Sequence, residues 1–150
     1  MTLQDKKLLL KDFCARLPYQ LKVKVDNDKE PYTLLAINAN NKICVIGQQF
    51  DNVYATSKVK IDAIKPYLRP MSSMTEEESA ELSNIIGEWF DKELFYLTEE
   101  PFLEYALSRI NYSISPLLFD FLNANHFDYR GLIDKGLAIK VTEENNPYKN

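Results

Sequence analysis

The fold is decided by a stretch in which apolar and basic residues alternate, Leu21-Lys22-Val23-Lys24-Val25. Successive side chains of a β-strand point to opposite faces, so this period of two predicts a strand with one apolar face and one face in water. The alternation recurs at residues 58–62. We therefore expect β-structure to extend well beyond the first strand.

Polar runs divide the following residues into short apolar segments. Runs at residues 26–31 and 38–41 predict turns, and strands are expected at residues 32–37 and 42–46. Residues 53–64 predict a fourth or fifth short strand. Short strands joined by short turns over about 45 residues favour an SH3-like barrel or a curled antiparallel sheet.

A helix is predicted before the sheet. Thr2 can cap it, Asp5 places a carboxylate in its first turn, and Pro18 ends it. Its apolar stripe is expected to contain Leu3, Leu10, Phe13, Cys14 and Leu17.

The residues after the sheet favour helices. Pro66 and Pro70 predict an extended connector at residues 65–74, and Thr75-Glu76-Glu77-Glu78 is a capping box that predicts a helix starting at Thr75. Later elements are a helix beginning near residues 98–101, a helix opened by Ser115-Pro116 with Leu118, Phe121 and Leu122 inward, and an extended segment at 137–141. The polar tail at 142–150 is expected to fray unless Tyr148 docks. The sequence thus predicts an α+β protein, with a helix and barrel-like subdomain at residues 1–70 and a helical subdomain at 71–150 packed on it.

Composition is that of a soluble globular protein. The chain has 150 residues, of which 45% are hydrophobic and 27% charged. Residues 1–70 contain 12 basic and 7 acidic residues, a net +5, whereas residues 71–150 contain 6 and 15, a net −9. The halves can attract each other or a second copy, and the basic half can attract nucleic acid or an acidic partner.

No stretch approaches the roughly 20 apolar residues that span a bilayer, and the polar start of the chain lacks a signal-peptide core. We therefore expect a cytoplasmic protein without a membrane partner. Cys14 and Cys44 have no C-x-x-C spacing, which favours two buried thiols over a disulfide.

The residues that bind cofactors are scarce. One histidine and two cysteines offer one ligand fewer than a structural zinc site needs. The four glycines, at positions 47, 87, 131 and 136, form neither a phosphate-binding loop nor a dinucleotide fingerprint. We expect no cofactor and no metal, and no recognisable catalytic constellation, so the protein is not expected to be an enzyme.

Three segments carry a resemblance: residues 14–19, residues 65–78 with Lys-Pro-Tyr-Leu-Arg-Pro-Met-Ser-Ser-Met-Thr-Glu-Glu-Glu, and residues 125–133 with Asn-His-Phe-Asp-Tyr-Arg-Gly-Leu-Ile. Together they resemble a family of small uncharacterised proteins from anaerobic gut bacteria and their phages or prophages. The resemblance implies a mobile-element context and supplies no activity or site residue.

One cluster holds groups that could carry chemistry, namely His126, Asp128, Tyr129 and Arg130. A hydrolase of unrecognised type around His126 is one hypothesis for it. Helix ends and caps require the same residue types for folding alone, and contact with a partner is a further interpretation.

A second candidate site is a basic strand face. Phosphates need cations and bases need aromatic platforms, and the candidate contacts are Lys22, Lys24, Lys58, Lys60, Lys65, Tyr67 and Arg69. Lysines on strand edges also prevent edge-to-edge aggregation. The favoured hypothesis is a small non-enzymatic accessory protein of a prophage-like element that binds protein, itself or another, and the alternative is a nucleic-acid-binding accessory protein.

Overall fold

The computed structural model describes residues 1–26, 28–50, 53–86 and 115–149. Two compact units are present, one made of Met1–Leu68 with Leu132–Asn150 and the other of Arg69–Gly131. The fold class is mixed α+β, with an N-terminal helix, a curled sheet of six strands in the described part of the chain, and further helices. The predicted fold class is confirmed.

Helix α1, Leu3–Arg16, begins with a reciprocal cap. The Oγ1 atom of Thr2 accepts a hydrogen bond from the backbone N–H of Asp5 at 3.1 Å, and the Asp5 carboxylate accepts one from the backbone N–H of Thr2 at 2.8 Å. The predicted start of the helix is confirmed, because the cap satisfies N–H groups for which the first turn has no acceptor. Its buried face is formed by Leu9, Asp12, Phe13 and Arg16.

The predicted apolar stripe of α1 is wrong at two positions. Leu3 is 63% exposed and Cys14 is also exposed, whereas Asp12 and Arg16 are buried. Periodicity treats charged residues as facing solvent, so it misses a helix face on which two opposite charges four residues apart are neighbours. The expectation of buried thiols is likewise wrong for Cys14 and confirmed for Cys44.

The first unit contains six strands among its described residues: β1 (Lys22–Val25), β2 (Tyr32–Asn38), β3 (Ile43–Phe50), β4 (Val53–Lys60), β5 (Ile64–Leu68) and β6 (Ile139–Lys140). Their order in the sheet is β4-β3-β2-β1-β5-β6. All neighbours are antiparallel except β5 and β6, which are parallel. Short 3-10 helices at Leu17–Tyr19 and Ile61–Ala63 precede β1 and β5. The predicted strands are present, and the segment 53–64 contains β4 and the start of β5.

One face of the sheet is buried. Leu9 and Phe13 of α1 belong to the same buried cluster as the sheet residues Val23, Leu34, Cys44 and Ile46. We call the face that carries these four sheet residues the inner face and the opposite one the outer face. Because side chains alternate along each strand, Lys22 and Lys24 lie on the outer face.

The chain returns to the first unit at its C-terminal end. Leu132 and Leu137 are buried in the same cluster, and Val141 donates its backbone N–H to the carbonyl of Leu68 at 2.8 Å. Gly136 turns the chain between the two leucines at a φ of 66°, a conformation that a Cβ atom disfavours. The division that the sequence predicts at residue 70 differs from this arrangement, because tertiary burial joins the residues from Leu132 onward to the first unit.

The second unit contains helices α2 (Glu76–Ile86) and α3 (Ser115–Ala124) among its described residues. Thr75 Oγ1 accepts from the backbone N–H of Glu78 at 3.2 Å, and Glu78 Oε2 accepts from the backbone N–H of Thr75 at 2.8 Å, which confirms the predicted capping box. The helix predicted near residues 98–101 lies outside the described residues. A second buried cluster contains Leu82, Leu118, Phe121, Leu122, Phe127 and Tyr129, which confirms the inward side of α3.

Candidate functional site

Strand β4 is the most exposed strand of the sheet. Among the described strands it pairs only with β3, and every residue except Val59 is exposed. Val53 is 67% exposed and Tyr54 is 50% exposed. In an antiparallel pair, alternate residues direct their N–H and C=O groups away from the paired strand, so β4 offers a row of backbone donors and acceptors on its other side.

Register places the basic residues of β4 on the outer face. Lys58 lies opposite Val45 and Lys60 lies opposite Ile43, whereas the inner-face residue Cys44 lies opposite Val59. Directly paired residues of two strands share a face. The outer-face partners of both lysines in β3 are therefore aliphatic.

An apolar patch lies at the other end of β4. Tyr54 and Leu35 cover the backbone of Gly47, where a Cβ atom would stand 2.4 Å from Tyr54 Cε1 and 2.6 Å from Leu35 Cδ1. We call Leu35 and Tyr54 over Gly47 the apolar patch. Both side chains are exposed, and only glycine lets them approach the strand so closely.

Further charges surround the basic end of β4. Lys42 adopts a left-handed conformation at a φ of 53°, and its carbonyl accepts the backbone N–H of Ile61 at 3.0 Å, which brings it beside the end of β4. The Asp62 carboxylate contacts Lys6 Nζ. Hydrogen bonding from Lys6 lowers the pKa of Asp62, and the charge of Lys60 lowers it further. This end of the strand is thus rich in cations.

The predicted basic residues of β1 and β5 occupy the same outer face but lie apart from β4. Lys22 lies opposite Thr33 and donates from Nζ to its Oγ1 at 2.9 Å, and Lys24 lies opposite Lys65. Strands β2 and β3 separate β1 from β4 by roughly 14 Å, three interstrand spacings. The five predicted lysines therefore form two groups.

Two other predicted nucleic-acid contacts are engaged within the fold. Tyr67 is only 7% exposed, and burial raises its pKa. Arg69 donates to Glu78 through both guanidinium ends, at 2.5 and 2.8 Å, and to the Ser73 carbonyl at 3.0 Å. Its guanidinium carbon also lies 4.4 Å from the centroid of the Phe127 ring. Tyr67 is thus too buried to stack a base, and the fork of Arg69 already binds a carboxylate.

The residues around His126 are built into the second unit. His126 is 7% exposed and its Nδ1 is shielded from solvent. Tyr129 is also buried and donates its hydroxyl to Asn123 Oδ1 at 2.8 Å. Asp128 and Arg130 are half-buried, and the guanidinium of Arg130 lies 4.3 Å from the Tyr129 ring centroid. These contacts stabilise the fold of the second unit, and the side chains of His126 and Tyr129 are largely shielded from solvent.

The backbone of the same segment is also engaged. The backbone N–H of Arg69 donates to the His126 carbonyl at 2.9 Å, and the backbone N–H of Asp128 donates to the Arg69 carbonyl at 2.7 Å. His126 itself has a left-handed φ of 57°. The segment after α3 is therefore held against the residue that follows β5.

Within residues 1–26, 28–50, 53–86 and 115–149, no group of three His, Cys, Asp or Glu side chains is arranged to hold a metal ion. Burial raises the pKa of the Cys44 thiol to about 11, which keeps it protonated at neutral pH. Across the described residues, helices of the length and apolarity that a bilayer span requires do not occur.

Sequence reasoning missed the apolar patch and the exposed length of β4. A usable signal was present for the edge, since Tyr-Ala-Thr-Ser-Lys-Val-Lys at residues 54–60 contains little apolar surface for a core.

Comparison with known proteins adds no relative: no family model matches the chain, and no curated protein or solved structure matches it at a significant level.

Proposed function

We propose that this chain is a small non-enzymatic accessory protein that works in the cytoplasm by binding another protein through β4 and the adjoining outer face. The resemblance to small proteins of gut bacteria and their phages supports a mobile-element setting for that role. The observation that carries the proposal is the exposure of β4 over almost its whole length, with Val53 and Tyr54 largely in solvent.

Such an edge is a template for pairing, and proteins usually shorten it, bend it or cover it. Tyrosine is enriched at interfaces because it combines a large apolar ring with a polar tip, and the apolar patch presents one beside an exposed leucine. Cations at the other end of β4 suit the polar rim of a contact.

The test is an unbiased selection of random displayed peptides on the full chain. We expect enriched peptides whose binding falls by about tenfold on Tyr54→Ala, which removes the largest exposed ring of the patch. Leu3→Ser is the matched control, since Leu3 is an exposed apolar residue of the same unit remote in sequence from β4. Failure to enrich any peptide, or enriched peptides indifferent to Tyr54→Ala, would refute protein binding at this surface.

Nucleic-acid binding is the second candidate, and the shared outer face of Lys22, Lys24, Lys58, Lys60 and Lys65 favours it. Fluorescence anisotropy of labelled single- and double-stranded DNA and RNA tests it at low and near-physiological salt. Binding that weakens with salt and disappears when lysines 22, 24, 58 and 60 become alanine would support this alternative, because phosphate contacts release counterions. Absence of binding at low salt would remove it.

A further inference from the structure

We propose that the partner at β4 is an extended acidic segment of another protein, which adds to the sheet as a strand beside β4 and places carboxylates opposite Lys58 and Lys60. This inference rests on the proposed function and specifies the chemistry of the partner.

The backbone of β4 suits the addition of a strand. The eight residues Val53–Lys60 would run along about 26 Å of an incoming segment, at 3.3 Å per residue. In the described part of the chain, no strand pairs with the side of β4 away from β3. Main-chain hydrogen bonds would then supply much of the affinity and side chains the specificity, as in other complexes formed by strand addition.

The charges on β4 select an acidic partner. Lys58 and Lys60 are two residues apart on one face, about 7 Å along the strand. Val53–Lys60 contains no carboxylate, and the residues paired with the two lysines in β3 are Val45 and Ile43. Side chains opposite each other on paired strands have Cβ atoms about 5 Å apart, so opposite charges attract and like charges repel there. Acidic residues spaced by two on the incoming strand meet this requirement.

The same lysines argue against a second copy of the chain as the occupant. Two β4 strands paired antiparallel over their full length would set Lys58 opposite Ala55 and Lys60 opposite Val53, so neither lysine would meet a carboxylate. Charged edge lysines are a common protection against such pairing. Pairing of two β4 strands is therefore disfavoured, and addition of an acidic strand beside β4 is favoured.

The distribution along β4 favours a peptide over nucleic acid. Cations lie at the Lys60 end of the outer face, while the apolar patch of Leu35 and Tyr54 lies at its other end. A nucleic-acid backbone carries charge at every nucleotide and is best bound by cations along the whole track. A peptide can be acidic at one end and apolar at the other.

The test measures binding of defined peptides to the full chain by fluorescence anisotropy. The probe is a labelled peptide in which glutamate alternates with valine. One control peptide has lysine in place of each glutamate, and the other keeps every glutamate but has proline at its two central valines, which removes N–H donors without changing charge. We expect both controls to bind about tenfold more weakly than the probe.

Variants of the protein provide the second arm. The double variant Lys58→Glu/Lys60→Glu is expected to invert the preference, binding the lysine peptide about tenfold more tightly than the glutamate peptide. Lys65→Glu is the matched control, because Lys65 is exposed on β5, four positions from β4 in the sheet, and it should keep the wild-type order. Hydrogen exchange should slow at alternate amides of β4 when the glutamate peptide is bound.

The outcomes separate this inference from the proposed function. If displayed peptides bind in a Tyr54-dependent way but the glutamate peptide does not bind, protein binding survives and the acidic strand is refuted. Equal binding of the glutamate and proline peptides would also refute it, because charge alone would then suffice. Tighter binding of labelled single-stranded RNA than of the glutamate peptide at near-physiological salt, lost in Lys58→Glu/Lys60→Glu, would overturn it in favour of nucleic acid.

Discussion

Arg16 donates from Nε to both carboxylate oxygens of Asp12, at 3.0 and 2.9 Å, and neither side chain exposes any surface to solvent. The pair lies one turn apart on α1, on the face that also carries Leu9 and Phe13. Burying two charges costs their hydration, and their mutual attraction returns roughly what was lost. The pair therefore tolerates joint replacement better than the loss of one member.

We predict that Asp12→Ala lowers the free energy of unfolding by about 3–5 kcal/mol, because the Arg16 charge would stay buried without that carboxylate. Urea denaturation followed by circular dichroism measures the change. The double variant Asp12→Leu/Arg16→Met is the control and should lose far less, since no charge remains to be buried. A double variant as unstable as Asp12→Ala would show that lost packing, and not charge, sets the cost.

The second prediction concerns Tyr148, which ties the tail to the sheet. Its hydroxyl donates to the carbonyl of Tyr67 at 2.8 Å and accepts the backbone N–H of Lys22 at 3.2 Å. Continuing the β1–β5 register by one pair sets Lys22 opposite Tyr67, so the hydroxyl bridges the two strands where their ladder ends. The tail is expected to be ordered only if Tyr148 docks, and this contact meets that condition.

Tyr148→Phe should lower the free energy of unfolding by about 1–2 kcal/mol, because two backbone groups lose their bridging partner. Hydrogen exchange at the Lys22 amide should accelerate in the same variant. Tyr32→Phe serves as control, since the hydroxyl of Tyr32 donates to Asp28 at an exposed position. Unchanged exchange at Lys22 would contradict the bridge.

The third prediction uses the ion pair of Arg69 and Glu78. Burial alone raises the pKa of Glu78, but hydrogen bonds from Arg69 and from the Thr75 backbone outweigh it, and the pKa is lowered. A carboxyl whose pKa is lower in the folded state stabilises the fold above its ordinary pKa of 4.5. That contribution is lost as pH falls through the folded-state pKa.

Glu78→Gln should therefore be less stable than the wild type at pH 7, by about 1 kcal/mol for a partly exposed pair. The difference should shrink as pH falls below 4.5 and vanish once Glu78 is protonated in the folded protein. Urea denaturation at a series of pH values measures it, with Glu76→Gln as control because Glu76 is an exposed carboxylate of the same helix turn. A difference that stays constant down to low pH would argue against the charge pair.

The fourth prediction tests the apolar patch. Gly47→Ala places a methyl group where Tyr54 and Leu35 now lie, at 2.4 and 2.6 Å from their nearest atoms. We expect a loss of at most about 1 kcal/mol in the free energy of unfolding, because both atoms are the ends of exposed side chains that can rotate off the strand. In the Tyr54→Ala background the same substitution should cost less, giving a coupling of about 0.5 kcal/mol in a double-mutant cycle. Additive effects would show that the ring does not rest on Gly47.

Local signals in the sequence were sufficient for the two helix caps and for strands β1 to β4, whereas residues 65–68 of β5 were predicted as part of a connector. Both helix caps form between residues that are three apart in sequence, Thr2 with Asp5 and Thr75 with Glu78. The two helix starts therefore follow from residues that are close in sequence. Alternation at Lys22 and Lys24 likewise predicts a strand with a wet face. What it could not predict was the buried face of α1, where the decisive residues are an aspartate and an arginine.

The candidate site was predictable only by residue type. Lys58 and Lys60 were identified as cations on a strand, but their distance from Lys22 and Lys24 depends on which strands lie between, and that is set by sheet order. The sequence pattern predicts Tyr67 and Arg69 as an aromatic and basic extension of the same face. In the fold, Tyr67 is buried and Arg69 forms an ion pair with Glu78. The apolar patch depends on Tyr54 and Leu35 meeting over Gly47, three residues from three strands.

The sequence by itself determined the helix caps, strands β1 to β4 with the turns between them, and the α+β class, because hydrogen bonds and alternation within a few residues specify them. Tertiary structure alone decided which strand is the exposed edge, which charges are buried and where the chain returns. Those features depend on contacts between distant residues, such as Tyr148 with Lys22 and Tyr67, which are 126 and 81 positions apart. The free energy of such contacts comes from packing and desolvation in three dimensions, and local periodicity does not predict it.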